Sequence, residues 1–418
     1  MRLTILTIIF TSLLTITGFA DEVTTLDSLL IEALEKNPEI RASKARWEAS
    51  TKRPSQEGSL PDPMIGISWQ NVGFDQITLD EDPDSMLMFP FTQEFPFPGK
   101  LSLKGSVAKR EADAQEQYYK AIIRRVIADL REAYYDWYAV TKSIEITKRN
   151  KELTQRFVKI AEARYEVGMG IQQDVIRSQV EVSKFIEQLE ILGQQKGVLE
   201  SKIIRILNRP PESKLGIPES LEKTPLTYTA KELYNLTENN APLLKMRENI
   251  IEKEEESLKL AKREYYPDFV IGASPGIMGM DDGGVQGVWE VELGVRVPLY
   301  FWRKQRYGVE EAALELRAAR EDFSSEKQDL LFMINENYLA ANTSGNLLTL
   351  YKDGIIPQST LSLESAISGY QVGDVDFLTL LNNLITLFNF EIEYYRQLSQ
   401  YLKSLARLEE ITGVELMK

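Results

Sequence analysis

The spacing of apolar residues changes in the same order in both halves of the chain. Residues 26–52 and 230–265 carry apolar positions at helical spacing. Strict alternation follows, most clearly over 288–298, where apolar residues take one face and Glu290 and Glu292 take the other. A helical period then returns in each half. The alternating segments predict strands at about 64–72, 86–97, 268–278 and 287–298.

The helical segments that follow the strands are unusually long. Residues 101–165 contain no proline and one glycine, Gly105. Apolar residues in this segment step alternately by four and three, the heptad spacing of helices that pack along their length. This seam consists of Tyr119, Ile123, Val126, Leu130, Ala133, Trp137, Val140 and Ile144. The pattern predicts long helices at about 101–167, 172–207, 304–371 and 376–412, arranged as a hollow helical barrel or a solid coiled-coil stalk.

Short motifs recur in order about half a chain length apart, which indicates a duplication. Asn37-Pro38 recurs as Ala241-Pro242, and residues 164–168 recur as 369–373. A proline-rich linker, which helices do not readily cross, joins the two copies at 211–229. The sequence therefore predicts a first repeat at 21–210 and a second at 230–418.

The apolar start of the chain predicts export. An apolar run over residues 3–19 follows Met1-Arg2, and small residues precede Asp21, so we expect a secretory signal peptide at 1–20. Later segments lack a long uncharged apolar run, so a membrane-embedded protein would have to be a β-barrel. Four strands leave open edges in lipid, whereas three chains would supply twelve strands, enough to close a wide barrel. A soluble sheet with one wet face is the alternative.

Composition narrows the possible chemistry. The 418 residues include no cysteine and no histidine, which excludes Ser-His and Cys-His catalysis and the usual imidazole and thiolate metal sites. The formal net charge of −14 argues against nucleic acid as a partner. We therefore expect no enzymatic activity, no cofactor and no resident metal.

Two weaker patterns stay open. Glu290 and Glu292 share a strand face, but no other candidate catalytic residue converges on this carboxylate pair. Four methionines in or near the strand ends form a possible soft-metal cluster, although an incidental grouping is the simpler interpretation. They are Met86, Met88, Met278 and Met280.

Three motifs add to these features: Arg164-Tyr165-x-Val167-Gly168, Tyr370-x-Val372-Gly373 and the junction segment 93–100, with sequence QEFPFPGK. In combination, these features resemble the TolC-like outer-membrane efflux proteins over almost the whole chain. The resemblance implies a mainly α fold with a transmembrane β-barrel part. It implies a homotrimer with a twelve-stranded barrel and a tunnel of twelve helices, located in the outer membrane with a periplasmic extension.

The function implied by the resemblance is that of a passive exit duct. An inner-membrane transporter would drive export through a periplasmic adaptor, and the outer-membrane lipid would surround the barrel. A soluble periplasmic coiled-coil adaptor or spacer is the alternative. The cargo stays open between metal ions, drugs and proteins.

In the resembling family, the turns between long helices lie at the periplasmic tip. The resemblance implies an adaptor contact at Arg164, Tyr165, Gly168, Tyr370 and Gly373. It also implies a tunnel gate at Asp174, Tyr370, Thr379 and Asn382, to which we add Asp374 and Asp376 as candidate gate residues.

The gate departs from the family pattern in two respects. The family joins a tyrosine of the second repeat to an aspartate of the first by a hydrogen bond, which matches Tyr370 and Asp174 here, but Val375 replaces the arginine of that network. The family also places two carboxylates per chain at the constriction of the tunnel. The matching positions in this chain hold the uncharged residues Thr379 and Asn382. We therefore regard Asp374 and Asp376 as candidate substitutes for the acidic ring, and Asp376 also as a plain helix N-cap.

Overall fold

A computed structural model describes residues 23–71 and 85–416. The signal peptide predicted at 1–20 and the end of the strand predicted at 64–72 lie outside these residues. The chain divides into two compact units. Of the described residues, unit 1 takes in those up to Ala33, Leu130–Glu222 and Leu348–Ser399, and unit 2 takes in those within Leu34–Asp129, Lys223–Leu347 and those from Gln400 on.

The helical segment predicted at 26–52 is divided into shorter helices. The side chain of Asn37 accepts hydrogen bonds from the backbone N–H groups of Glu39 and Ile40 at 2.9 and 3.1 Å, and Pro38 begins a new helix. Proline fits the first turn because it has no N–H to leave unpaired. The first elements are β1 (Val23–Thr24), α1 (Leu26–Lys36), α2 (Pro38–Ser50) and α3 (Arg53–Glu57).

Each strand expected in the first half is interrupted, and long helices follow. The backbone N–H of Phe89 donates to Pro275 O at 2.8 Å, and Pro90, which has no N–H, breaks the ladder beside it. The strands are β2 (Met64–Ile65), β3 (Ser68–Gln70), β4 (Met86–Met88) and β5 (Phe91–Phe95). The remaining elements are α4 (Lys100–Glu166), α5 (Gln172–Ile206) and β6 (Ile217–Pro218).

The second half repeats this order, with one difference from the helix expected at 304–371. A π-helical turn at Tyr351–Ile355 interrupts that helix. Pro357, the second residue of the next helix, has no N–H to donate to the carbonyl one turn earlier, and this is a common cause of such interruptions. The elements are α6 (Ala230–Asn240), α7 (Pro242–Arg263), β7 (Asp268–Gly279), β8 (Val285–Arg296), α8 (Gln305–Leu350), α9 (Ile356–Val372) and α10 (Phe377–Thr412). Among the described helices, none combines the length and apolarity needed to cross a bilayer.

Unit 2 contains an antiparallel sheet with two outer edges. β2 pairs with β5, and β3 pairs with β4. β4 and β5 both pair with one side of β7, and β8 pairs with β7 along its whole length. Ile271 lies opposite Leu293 on one face, which also carries Trp289. Leu293 and Trp289 are 77% and 79% exposed. Gly272 and Glu292 lie opposite each other on the second face, so the sheet has an apolar and a polar face.

Unit 1 is held by aromatic residues of the heptad seam and its flanks. Tyr134 and Trp137 are fully buried on α4. The Tyr134 hydroxyl donates to Thr24 O at 2.8 Å and accepts from Glu219 N at 3.0 Å, and burial raises the pKa of this phenol. Trp137 Nε1 donates to a Glu200 carboxylate oxygen at 3.2 Å. Tyr134 and Trp137 are therefore core residues of this unit, and Trp137 lies on the seam predicted from the heptad spacing.

Candidate functional site

The first candidate turn, in unit 1, joins α4 to α5. α4 ends at Glu166, and Gly168 has φ of +74°, a backbone conformation that residues with a Cβ rarely adopt. The N–H groups of Gly168 and Met169 donate to Tyr165 O and Arg164 O at 3.0 and 2.8 Å, which closes the helix end. The apolar side chains around this turn are exposed: Tyr165 48%, Val167 68%, Met169 74% and Ile171 59%.

The second candidate turn joins α9 to α10 in the same unit. Gly373 has φ of +92°, and its N–H donates to Gly369 O at 3.0 Å. The N–H of Asp374 donates to the same carbonyl at 2.9 Å. A Cβ at Gly369 would lie 2.5 Å from Val375 Cγ2. Val375, which replaces the arginine expected from the resemblance, therefore packs over Gly369.

The start of α10 is capped by Asp376. Its two carboxylate oxygens accept from Thr379 N at 2.8 Å and from Thr379 Oγ1 at 2.9 Å. These two hydrogen bonds hold the pKa of Asp376 below its usual value, since they favour the charged carboxylate. Thr379 is thus the partner of the cap. Asn382 is exposed, and its side chain makes no hydrogen bond or ion pair with the residues that the structure describes.

One arginine ties the two turns together. The Arg164 guanidinium carbon lies 4.6 Å from the centre of the Tyr370 ring, and Nη1 donates to the Tyr370 backbone oxygen at 2.5 Å. Tyr370 is 6% exposed and meets the ring of buried Phe377 edge-on at 5.6 Å between centroids. A side chain of the first repeat therefore binds both the ring and the main chain of the second.

Asp174 lies within the electrostatic reach of this pair. Burial raises the pKa of Asp174, the charge of Asp376 raises it further, and Arg164 opposes both effects. Burial also raises the pKa of Tyr370, and the Arg164 charge lowers it in part. Asp174 and Tyr370 both lie in the described part of the chain, and they make no hydrogen bond to each other within one chain. Tyr370 is bound by Arg164 instead.

The structure therefore groups some of the predicted residues and separates others. Arg164, Tyr370 and Asp174 interact, and a Cβ at Gly373 would lie 3.8 Å from Arg164 Nη2. Tyr165 instead presents its ring to solvent.

The role of Arg164 as the partner of Tyr370 was missed from sequence. The available signal was Val375, which stands where the resembling family carries an arginine.

Metal binding by carboxylates has no candidate at this site. Within residues 23–71 and 85–416, no group of three or more acidic side chains is arranged to hold a metal ion.

Comparison with protein families gives one match that covers both repeats. The family described as "Outer membrane efflux protein" matches residues 29–196 and 233–414. Both candidate turns, with Arg164 and Tyr370, fall inside the matched segments.

Individual relatives agree with this match. The cobalt-zinc-cadmium resistance protein CzcC of Cupriavidus metallidurans is 19% identical over 321 residues, 75% of this chain and 74% of the relative. The outer membrane protein VceC of Vibrio cholerae superposes with a TM-score of 0.78 at 16% identity, covering 94% of this chain and 96% of that one. The Campylobacter jejuni CmeC outer membrane channel superposes with a TM-score of 0.79 at 14% identity, covering 94% and 86%. The predicted fold class is thereby confirmed.

Proposed function

Because the chain belongs to the outer membrane efflux protein family, we propose that it is the outer-membrane exit channel of a tripartite efflux system. In this system a periplasmic adaptor would link it to an inner-membrane transporter, and transport through the channel itself would be passive. The family assignment confirms the resemblance to efflux proteins noted in the sequence.

The observation that carries the proposal is the incomplete sheet. β8 lacks a strand partner on its outer side among the described residues, and β2 and β3 form the opposite edge. Exposed backbone groups at a sheet edge are costly in lipid because no water replaces the missing hydrogen bonds. Three copies joined edge to edge would pair every strand. We therefore propose a homotrimer in which each chain contributes one third of a closed barrel.

The two faces of the sheet fit this assembly. Val291 and Leu293 share the apolar face, which suits lipid. Glu94 and Arg296 lie on the other face and form an ion pair at 2.5 Å, which suits a watery channel. Glu292 shares that polar face.

Neighbouring residues of β8 provide a test. Leu293→Lys places a charge on the proposed lipid face, at a cost of about 2–4 kcal/mol near the middle of a bilayer. Glu292→Lys, its matched control, places the same charge on the proposed channel face. We expect the first variant to yield few trimers in outer-membrane fractions. The second should form trimers whose planar-bilayer currents are less cation-selective. Equal trimer yields from both variants would contradict the assignment of faces and favour a soluble sheet.

We propose that Arg164 and Tyr370 help to close the tunnel. Their contact ties the two helical hairpins of one chain, so breaking it would let the hairpins separate. Asp174, the aspartate expected as the hydrogen-bond partner of Tyr370, would act by balancing the Arg164 charge. Its bond to Tyr370 could still form between neighbouring chains of a trimer.

We propose that Asp374 and Asp376 form the acidic ring of the tunnel gate. Asp374 is exposed, and its side chain makes no hydrogen bond or ion pair with the described residues. Asp376 stays ionised, since its capping hydrogen bonds lower its pKa. Both are therefore able to attract cations near the turn, whereas Thr379 and Asn382 carry no charge.

The exposed tip residues support an adaptor contact. Val167 and Met169 are 68% and 74% exposed, and Val372 of the second turn is 74% exposed. Adjacent exposed apolar side chains commonly mark a protein interaction site. We propose that the adaptor covers them and approaches the backbone at Gly168 and Gly373.

Gly168 allows the docking role to be separated from the folding role. A Cβ at this position would meet no atom within 4 Å, so only φ restricts the substitution. Gly168→Trp should abolish export and crosslinking to the adaptor because the ring occupies the docking surface. Gly168→Asn, the control, tolerates φ of +74° and should retain both activities. Trimers should persist in each variant on native gels, and loss of trimers in Gly168→Trp would show that the glycine is structural instead.

A further inference from the structure

The methionines at the strand ends are brought together by the sheet of unit 2. The chain has ten methionines, and four of them lie at positions 86, 88, 278 and 280. Met86 and Met278 are directly opposite each other in the ladder between β4 and β7. Side chains of directly opposite residues project to the same face, with Cβ atoms about 5 Å apart. The first two thioethers are therefore close neighbours.

Met88 reaches the same place because Gly276 leaves room for it. These two residues are opposite each other in the same ladder. A Cβ built on Gly276 would lie 2.4 Å from Met88 Sδ, so the thioether occupies the space where a side chain of β7 would stand. Gly276 and Met278 are two positions apart on one strand, a spacing of about 7 Å. Three sulfur-bearing side chains thus converge on one patch of sheet.

This patch lies on the polar face of the sheet. Glu290 is opposite Ser274, which is two positions from Gly276 and therefore on the same face as Met278. The exposed Trp289 is opposite Pro275 and belongs to the apolar face. The methionines are half-buried on this face, where Ser68 is opposite Met88 and Gln70 is opposite Met86.

We propose that the thioether sulfurs of Met86, Met88 and Met278 bind a soft monovalent metal ion, Cu(I) or Ag(I). Thioethers are neutral, polarisable donors that select such ions, whereas Zn²⁺, Ca²⁺ and Mg²⁺ prefer imidazole, thiolate or oxygen ligands. The unbranched methionine side chain adjusts easily to a three-coordinate arrangement. Met280 begins the turn after β7, where its N–H bonds to Gly284 O at 2.8 Å, and it provides a spare sulfur nearby.

Binding itself depends only on the sheet. The interpretation of the ion as cargo in transit rests on the proposed function, since only a channel would make the polar face a transport path.

Silver is the appropriate probe because it does not change oxidation state under these conditions. Purified full-length protein in detergent should bind Ag(I), as measured by isothermal titration calorimetry. The triple variant Met86→Leu, Met88→Leu, Met278→Leu should bind roughly tenfold or more weakly, since leucine conserves volume and removes sulfur. Met246→Leu, which removes a half-buried methionine of α7 outside the cluster, should bind Ag(I) as the wild type does.

Several outcomes decide the proposal. Unchanged affinity in the triple variant, or an equal loss in Met246→Leu, would overturn it and leave the methionines as packing residues. A loss confined to the triple variant supports it, provided that this variant still forms trimers of normal heat stability. Planar-bilayer currents report the proposed function separately, so silver binding by a protein that forms no channel would retain the site and reject the duct.

Discussion

Channels carrying Arg164→Ala are expected to conduct several times more current in planar bilayers than wild-type channels. The substitution removes a hydrogen bond to the Tyr370 carbonyl at 2.5 Å and a cation–π contact at 4.6 Å. Such contacts are together worth about 2 kcal/mol per chain, which corresponds to roughly a thirtyfold shift in a closed-to-open equilibrium. Three chains in a trimer would multiply the effect. Single-channel recording measures this change directly.

Conservative variants separate the contributions of ring, charge and hydroxyl. Arg164→Lys keeps the charge over the ring but loses the planar guanidinium, so we expect an intermediate conductance. Tyr370→Phe keeps both the ring and the carbonyl that Arg164 binds, so we expect near-wild-type conductance. Arg156→Ala is the matched control, since Arg156 is an exposed arginine two turns earlier on α4.

The hydrogen bond expected from the family makes the opposite prediction. If Tyr370 and Asp174 hold the tunnel closed between neighbouring chains, Tyr370→Phe combined with Asp174→Ala should raise the conductance. Opening by this double variant, with Arg164→Ala unchanged, would assign the lock to the Tyr370–Asp174 pair and reject the role of Arg164.

The ends of the long helices could be read from the sequence because glycine and proline mark them chemically. α4 begins after Pro98-Gly99 and ends two residues before Gly168, and Gly99 and Gly168 adopt positive φ. The buried seam of this helix, including Leu130 and Trp137, follows from heptad spacing alone. Such signals are local, so one sequence suffices to find them.

The sheet was less accessible to prediction because its pairing joins the two repeats. β4 and β5 pair with β7, whose residues are far away in sequence. Alternation predicts that a segment is a strand, but it does not fix the register or the partner. The proximity of Met86 to Met278 depends entirely on that register, which is why the sequence alone made an incidental grouping the simpler interpretation.

The candidate site shows the same limit on a smaller scale. Positions of Arg164 and Tyr370 were identified through motifs, whereas their contact required the packing of two hairpins. Val375 could be recognised as a departure from the family, but the sequence did not indicate that Arg164 contacts Tyr370. Asp376 was predicted as both an acidic-ring residue and an N-cap, and the hydrogen bonds to Thr379 show the cap.

The second large effect, a loss of stability, is expected when a buried lysine is replaced at the junction between strands and helices in unit 2. Lys100 is buried, and its Nζ lies 2.8 Å from Asp268 Oδ1, 3.2 Å from Glu264 Oε2 and 3.0 Å from Tyr266 O. Asp268 Oδ1 also accepts from Phe97 N at 2.7 Å. One cation therefore joins the strand-to-helix junction of the first repeat to the helix-to-strand junction of the second.

Lys100→Met should destabilise this junction by about 3–5 kcal/mol, because it leaves the largely buried Asp268 carboxylate without its cation. We expect trimers of this variant to dissociate on semi-native gels at temperatures that the wild type survives. Lys104→Met, one turn later on α4, removes a lysine that forms no ion pair with the described residues and should leave trimers intact. Asp268→Asn added to Lys100→Met should restore part of the stability, since the uncompensated charge is gone while an oxygen remains for Phe97 N. Equal heat stability of Lys100→Met and Lys104→Met would mean that packing, and not the buried ion pair, holds the repeats together at this junction.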